Sequence, residues 1–335
     1  MNGYNIQINK LCMKTGLGNL LFEPLPIQGG LLHKMYDVRT STGRYAVKAL
    51  NPEIMKRNGV YEQYVESEKI AHELSQVIDV SFANSYGGNC IQQVEGQFYL
   101  IYDFKEGQSL KLDEITPEHA YKMGSVVAKI HNMDFAGLKR ENDNSDEARI
   151  FIWDRLLESG LEHSIEWYDL LNENIEFIKS ISDRMNEAYL ELSTQTIICH
   201  GDLDPKNVLW YEETPIIIDW ESVGYYNPYH DFLDTALYWS ANRDSSIDYD
   251  RFSAFIDGYK SIKAVDYSDW EKVLYSGYSA KLGWLEYSLK RSLGIECNDT
   301  EDQKIGTKQV YASIMEMNQY SKSISGIIDF LDSKL

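Results

Sequence analysis

The sequence predicts an α+β fold in two lobes, with an antiparallel sheet and one helix in the first lobe and mostly helices in the second. Two features of the chain favour this fold class. Short apolar runs bounded by turn residues, such as 44–50, recur in the N-terminal third and are typical of strands. Beyond them, apolar residues recur at helical spacing, most clearly over 175–188. We therefore expect an N-lobe over residues 1–104 and a C-lobe over residues 105–335.

The composition narrows the class of protein. The 335 residues suffice for a large buried core, and the net charge of −20 disfavours nucleic acid as a partner because nucleic acid needs basic surfaces. No secretory signal and no apolar run of about eighteen residues appear, so we expect no membrane partner. The four cysteines form no Cys-x-x-Cys pair, which argues against a zinc site and a disulfide framework and fits a reducing, cytoplasmic location.

The N-lobe elements follow from turns and from periodicity. The Gly29-Gly30 turn separates two predicted strands, and the next strand carries Lys48. A helix is predicted over 60–76, with Glu68 on its apolar face. A hairpin over 90–104 then ends in a polar, glycine-containing link, where we expect the boundary between the lobes.

The C-lobe is predicted to be helical except around one polar loop. Thr116 and Pro117 start a helix that ends at His131, where a structural histidine is expected. Ser164 is expected to cap a helix that runs to about residue 192. Two long helices are expected at the C-terminal end, the first stopping at Gly294 and the last interrupted at Gly326.

The polar loop lies between short apolar runs and carries the candidate chemistry. Asp202 and Asn207 are five residues apart on this loop, and Asp219 follows after a turn that brings it back beside Asn207. Carboxylate and amide oxygens are suitable ligands for Mg²⁺, which takes its remaining ligands from phosphate oxygens and water. A further carboxylate can orient a hydroxyl nucleophile and accept its proton. The spacing therefore favours magnesium-assisted phosphoryl transfer.

Two motifs, His-Gly-Asp-x-x-x-x-Asn over 200–207 and Ile-Asp-Trp-Glu over 218–221, resemble those of the aminoglycoside phosphotransferase and choline kinase family. The resemblance implies a bilobal protein-kinase-like fold that uses ATP and Mg²⁺, with GTP not excluded as the donor. It implies that Asp202 is the catalytic residue, while Asn207 and Asp219 bind the metal. Glu221 stands where protein kinases have glycine, and a role in orienting the metal or a cationic acceptor is a hypothesis for it.

The resemblance extends into the N-lobe. The run Tyr-Ala-Val-Lys, which ends at Lys48, resembles the kinase strand whose lysine binds the nucleotide phosphates. A glutamate of the next helix holds that lysine in kinases, and Glu68 rather than Glu66 matches it. Gly29 and Gly30 are implied to cover the phosphates because glycine permits close backbone approach.

In this family the adenine bonds to the backbone of a hinge and the nucleotide lies in the cleft between the lobes. The matching hinge here is the end of the strand around Tyr102, Asp103 and Phe104. These three residues are therefore implied to bind the nucleotide, together with the glycines, Lys48 and Glu68.

The acceptor stays open. An aminoglycoside-like or other small hydroxylated cation fits the acidic chain. A metabolic alcohol such as choline, homoserine, thiamine or a sugar is equally compatible with the motifs. A non-catalytic nucleotide-binding module is disfavoured because all the expected charged residues are present, and a protein kinase because no Ala-Pro-Glu element follows Asp219. A late helix carries aromatic and charged side chains that either receive an ammonium group or pack as a lid: Trp284, Glu286, Tyr287 and Arg291.

Overall fold

The structure is a computed structural model that describes residues 3–27, 32–135, 148–266 and 269–335. The predicted phosphate-covering glycines, Gly29 and Gly30, lie outside these ranges. None of the helices in the described ranges is long and apolar enough to cross a membrane.

The chain divides into two compact units by its internal contacts. Unit 1 is formed by Met1–Lys111 with Pro205–Val223, and unit 2 by Leu112–Asp204 with Gly224–Leu335. This division differs from the boundary expected after residue 104, because a segment from the second half of the chain belongs with the first.

Backbone pairing explains why that segment joins unit 1. Trp210 and Gln108 exchange backbone hydrogen bonds of 2.9 and 3.1 Å. Ile217 likewise bridges Val80 in the parallel sense. These pairs tie the segment to the N-terminal chain at two places.

The main element of unit 1 is a five-stranded antiparallel sheet in the order β1-β2-β3-β5-β4. Its strands are β1 (Leu25–Ile27), β2 (Lys34–Arg39), β3 (Arg44–Ala49), β4 (Gln92–Val94) and β5 (Gln97–Asp103). Apolar side chains pack on both faces of the sheet, since successive residues of a strand point to opposite sides. One face packs against helix α1 (Ile8–Thr15) and the other against helix α2 (Val60–Leu74).

The remaining part of unit 1 is a short hairpin. Strands β7 (Val208–Tyr211) and β8 (Thr214–Ile217) pair antiparallel. A 3₁₀ turn, Pro205–Asn207, precedes the hairpin, and another, Trp220–Ser222, follows it. The predicted return of the chain beside Asn207 is confirmed.

Unit 2 is helical apart from one pair of short strands, β6 (Ile197–Cys199) and β9 (Gly224–Tyr226). Its helices within the described ranges are α3 (Pro117–Asn132), α4 (Trp153–Glu162), α5 (Tyr168–Leu192), α6 (Pro228–Ser240), α7 (Tyr249–Lys260), α8 (Trp270–Ser276), α9 (Tyr278–Ser292) and α10 (Thr300–Lys334). The start of α3 confirms its predicted cap, since Thr116 accepts the His119 backbone N–H with Pro117 at the first helical position.

Helix boundaries differ from the prediction at three places. The helix that Ser164 was expected to cap begins instead at Tyr168, with Trp167 as its N-cap residue. Gly326 does not interrupt α10, because a glycine added to an otherwise helical run weakens a helix without breaking it. The helix expected to stop at Gly294 does end just before it, at Ser292, but it is divided at Gly277 between α8 and α9. A Cβ at Gly277 would lie 2.8 Å from the Tyr320 hydroxyl, so tertiary crowding marks this position.

Candidate active site

Lys48 is the buried centre of the candidate site in unit 1. Strand β3 places its ammonium 2.6 Å from Asp219 Oδ1 and 3.2 Å from Glu221 Oε2. Burial by itself lowers the pKa of Lys48, but the two carboxylates outweigh it and the pKa is raised. The lysine therefore stays charged.

Asp219 and Asn207 are brought together by the hairpin. The Ile218 N–H donates to the Asn207 carbonyl at 3.0 Å, which places the residue before Asp219 directly against Asn207. Asp219 itself adopts φ +63°, a left-handed conformation that is uncommon for a residue other than glycine. Such strained backbone is often found where a side chain has to be aimed at a ligand.

Glu221 has three donors around one oxygen. Its Oε2 lies 3.2 Å from Lys48, 3.1 Å from His33 Nε2 and 3.3 Å from the Tyr64 hydroxyl. Burial raises the pKa of Glu221, whereas Lys48 and His33 lower it, and the net direction is downward. The motifs drew attention to Glu221, but not to His33 and Tyr64, because neither of these residues lies within a motif.

The direct pairing of Lys48 with Glu68 is not what the structure shows, and this corrects the expectation. Glu68 instead accepts the Ala83 N–H at 2.5 Å and the Tyr102 hydroxyl at 2.8 Å. Burial raises the pKa of Glu68, and Lys48 acts on it only through a longer-range charge effect. Within the described ranges the ion-pair partners of Lys48 are Asp219 and Glu221.

The predicted hinge residues are held from several sides. Asn84 Nδ2 donates to Asp103 at 2.8 Å. Phe104 donates its N–H to the Arg44 carbonyl at 3.1 Å, and the Arg44 guanidinium stacks 3.5 Å above the Phe104 ring. Together with the hydroxyl bond of Tyr102 to Glu68, these contacts fix the strand end. Nucleotide binding by this segment remains a prediction.

Asp202 lies in unit 2, on the loop that follows β6. Both of its neighbours are anchored to α6: the Gly201 N–H donates to Asp231 Oδ1 at 2.8 Å, and Trp239 Nε1 donates to the Leu203 carbonyl at 2.9 Å. The Asp202 N–H also donates to His200 Nδ1 at 3.3 Å. The loop is therefore held on either side of the predicted catalytic carboxylate.

His131 braces this loop indirectly, as expected for a structural histidine. Its Nε2 lies 3.0 Å from Asp231 Oδ2, and its Nδ1 lies 3.0 Å from the Tyr259 hydroxyl. Burial raises the pKa of Asp231, but the bonds from His131 and Gly201 lower it below its usual value. The Cys199 thiol lies within 4.8 Å of His131 and Asp231, and it donates to the Tyr226 carbonyl at 3.7 Å.

Unit 2 contains a charged cluster of its own, which the sequence did not predict. Lys281 on α9 lies 2.7 Å from Glu316 on α10, and its ammonium lies 5.1 Å from the ring centroid of Tyr320 and 6.0 Å from that of Tyr238. The spacing of Asp231, Asp234 and Tyr238 puts them on one face of α6. That spacing was the available signal, but the contributions of α9 and α10 needed the tertiary structure.

The pKa values of Asp234 and Tyr238 are both raised above their usual values. Burial raises the pKa of Asp234. Asp234 raises the pKa of Tyr238 further than burial does, and Asp202 and Asp204 add to the effect. The carboxylates of Asp202 and Asp204 are therefore near enough to Tyr238 to affect the charge of its hydroxyl.

The other aromatic and acidic helix positions have structural partners. Glu286 pairs with Arg149 at 3.1 Å and with Lys290 at 3.3 Å. Arg291 Nε donates to Asp302 at 2.7 Å. At these two charged positions, the pairs favour the packed-lid interpretation of α9.

Comparisons with known proteins identify the family. Residues 23–265, more than half of the chain, match the phosphotransferase enzyme family. Among curated proteins, homoserine kinase from Methylobacillus glycogenes is 23% identical over 274 residues, which are 76% of this chain and 77% of that protein.

Solved structures show the same fold. A spectinomycin phosphotransferase in complex with ADP and spectinomycin has a TM-score of 0.69 at 15% identity, and the match covers 94% of this chain and 100% of that one. Choline kinase from Cryptosporidium parvum has a TM-score of 0.57 at 15% identity, over 97% of this chain and 98% of that one. Because the family match spans most of the sequence, the chain belongs to the phosphotransferase enzyme family and is a small-molecule kinase with the protein-kinase-like fold.

Proposed function

We propose that this kinase transfers the γ-phosphate of ATP, in the presence of Mg²⁺, to a hydroxyl group of a small cationic acceptor of the aminoglycoside-like kind. The observation that carries the proposal is the ion pair of Lys48 with Asp219, whose neighbour Ile218 is hydrogen-bonded to Asn207. This arrangement joins a phosphate-binding cation to two candidate metal ligands. The four free cysteines fit a reducing compartment such as the cytoplasm.

Asn207 and Asp219 would hold Mg²⁺ in this proposal. Their amide and carboxylate oxygens are the hard ligands that suit this ion, so the donor set fits. Bound Mg²⁺ supplies positive charge that neutralises the phosphates during transfer. Lys48 supplies a second positive charge from the protein, and its raised pKa keeps that charge in place at neutral pH.

Asp202 would orient the acceptor hydroxyl and take its proton. The anchoring of Gly201 and Leu203 to α6 supports this role, because a general base has to be held within hydrogen-bond reach of the proton that it accepts. Little covalent work is required of the protein, since phosphoryl transfer depends mainly on positioning and on charge stabilisation.

The cluster on α6, α9 and α10 supports a cationic acceptor. The carboxylates around Tyr238 are Asp202, Asp204, Asp234 and Glu316, and Lys281 is the cation paired within this group. The carboxylates outnumber the lysine, and the faces of Tyr238 and Tyr320 add cation-binding surfaces. We infer that an ammonium group of the acceptor binds here while its hydroxyl meets Asp202.

A metabolic alcohol is the second candidate. The similarity to a homoserine kinase favours it, and homoserine, choline, thiamine and sugars belong in the same substrate screen. Of these acceptors homoserine carries a carboxylate, and Lys281 would bind it by sharing its ammonium between that group and Glu316.

Two substitutions on one loop test the assignment. We expect Asp202→Asn to lower kcat by about 100-fold or more, because positioned general bases contribute about that much. The affinity for ATP should change little. We expect Asp204→Asn, the matched control two residues along, to raise KM for a cationic acceptor about threefold while kcat is kept, because it removes one carboxylate of the proposed ammonium site and leaves the base in place.

The assay measures ADP release over a panel of aminoglycosides, macrolides, choline, homoserine, thiamine and sugars. Near wild-type turnover by Asp202→Asn would show that Asp202 is not the base. Nucleotide binding without turnover on any member of the panel would favour a non-catalytic binding module.

A further inference from the structure

We propose that Glu221, held in place by His33 and Tyr64, is the residue that positions Lys48 for the nucleotide phosphates, in the role that Glu68 was expected to have. The inference rests on the proposed function, since it concerns how the phosphates of the donor are held. It assigns Glu221, His33 and Tyr64 as positioning residues that act through Lys48.

The protonation of His33 follows from its neighbours. The backbone N–H of Asn51 donates to His33 Nδ1 at 2.9 Å, so this nitrogen carries no proton. The N–H of the ring is therefore at Nε2. That nitrogen lies 2.7 Å from the Tyr64 hydroxyl and 3.1 Å from Glu221 Oε2, so the ring presents an N–H to both oxygens.

Tyr64 completes the support of the carboxylate. Its hydroxyl lies 3.3 Å from Glu221 Oε2, and both Tyr64 and His33 are only 6% exposed. His33 immediately precedes β2, and Tyr64 lies within α2, so Glu221 is tied to two different elements of unit 1. A carboxylate with several donors keeps one orientation, because moving it leaves those donors without an acceptor.

The two carboxylates beside Lys48 differ in their exposure and in their side-chain partners. The side chain of Asp219 is 32% exposed, compared with 19% for Glu221. In the described ranges Asp219 has Lys48 as its side-chain partner, whereas Glu221 also has His33 and Tyr64. If Asp219 were to hold Mg²⁺, Glu221 would remain as the carboxylate that pairs with Lys48.

Glu68 forms hydrogen bonds with groups other than Lys48. Its two oxygens accept bonds from the Ala83 N–H and from the Tyr102 hydroxyl. Turning Glu68 toward Lys48 would leave these two groups without their acceptor in a buried environment, which is unfavourable. Glu68 therefore stabilises the strand end at Tyr102, and Lys48 is held by Glu221, which lies 173 residues further along the chain.

Double-mutant cycles on the full chain distinguish the two glutamates. The Kd of ADP is measured by calorimetry for Glu221→Gln and for Glu68→Gln, each alone and combined with Lys48→Met. We expect Glu221→Gln to weaken ADP binding about tenfold, as for loss of a hydrogen bond to a charged group. It should have no further effect once Lys48 is Met, whereas Glu68→Gln should act equally in both backgrounds.

A metal-free arm separates positioning from metal binding. The same Kd values are measured with EDTA present, when only protein groups contact the phosphates. The effect of Glu221→Gln should persist there, because it acts through Lys48. Tyr64→Phe removes one hydroxyl and keeps the ring, and we expect a weakening of about threefold that disappears in combination with Glu221→Gln. Circular dichroism confirms that each variant is folded.

Three results would overturn the inference: coupling of Lys48 to Glu68 instead of Glu221, an effect of Glu221→Gln confined to samples with Mg²⁺, or unchanged ADP affinity in Glu221→Gln. A wild-type chain that binds no nucleotide would instead contradict the proposed function itself. The two failures are therefore distinguishable from the binding data.

Discussion

At the residue scale, Asp219 shows how local strain accompanies function. Its φ of +63° lies between the end of β8 and the turn Trp220–Ser222. This conformation is unfavourable in free energy for a residue with a side chain. It occurs here at the residue whose carboxylate pairs with Lys48. The sequence predicted Asp219 as a metal ligand, but its backbone conformation could not be read from the motif.

Asp231 is the residue whose charge has the clearest consequence for stability. Its carboxylate is 3% exposed and joins His131 to Gly201. We expect Asp231→Asn to lower the free energy of unfolding at neutral pH by about 2 kcal/mol, because His131 and the Gly201 N–H lose the charged acceptor of their buried hydrogen bonds.

The pH dependence of that loss follows from the direction of the shift. The pKa of Asp231 is lower in the folded state than in the unfolded chain. Its stabilising contribution is thus complete above the unfolded value of about 4 and disappears as the pH falls through the folded value. Urea unfolding of wild type and Asp231→Asn between pH 3 and pH 7 should show a difference that shrinks only at the acid end. A difference independent of pH would contradict this account.

At the scale of elements, α3 and α7 pack with their backbones in close approach. A Cβ placed on Gly258 of α7 would lie 2.0 Å from the Tyr121 carbonyl oxygen, and one on Gly124 of α3 would lie 2.0 Å from that of Phe255. Glycine is therefore needed at both positions for reasons of space. Helical periodicity predicted α3, but it gave no indication that its glycine faces another helix.

We expect Gly258→Ala to destabilise the protein by about 2 kcal/mol or more, since the helices must separate to admit the methyl group. Gly326→Ala on α10 is the matched control, because the same methyl would meet only the Tyr249 hydroxyl at 3.2 Å. There, relief of the glycine penalty should stabilise the helix by up to about 1 kcal/mol. Thermal unfolding of both variants checks the contrast. Equal changes in Tm would mean that the contact between α3 and α7 is looser than described.

At the scale of the whole molecule, the net charge of −20 creates a field that attracts cations. If the acceptor is cationic, its KM should rise as ionic strength increases, because salt screens this attraction. We expect the KM of the cationic acceptor to increase about threefold between 50 and 300 mM salt, because the Debye length shortens over this range. An uncharged acceptor in the same assay is the control, and a KM independent of salt for the cationic acceptor would show that the charge serves solubility alone.

The sequence by itself determined the class of fold, the family and the identities of Lys48, Asp202, Asn207 and Asp219 as candidate residues. These features depend on local order along the chain: apolar runs, turn residues and motif spacing. The hairpin that returns the chain beside Asn207 was predictable for the same reason.

Only the tertiary structure decided which carboxylate pairs with Lys48 and which side chains join Asp234. Glu68 lies on α2 as expected, but its carboxylate accepts hydrogen bonds from Ala83 and Tyr102. Glu221 pairs with Lys48 instead, and His33 and Tyr64 support it. Such a choice depends on competition among buried donors that lie far apart in the chain. Because a buried polar group takes whichever partner completes its hydrogen bonds, that competition is settled by packing and leaves no mark in local sequence.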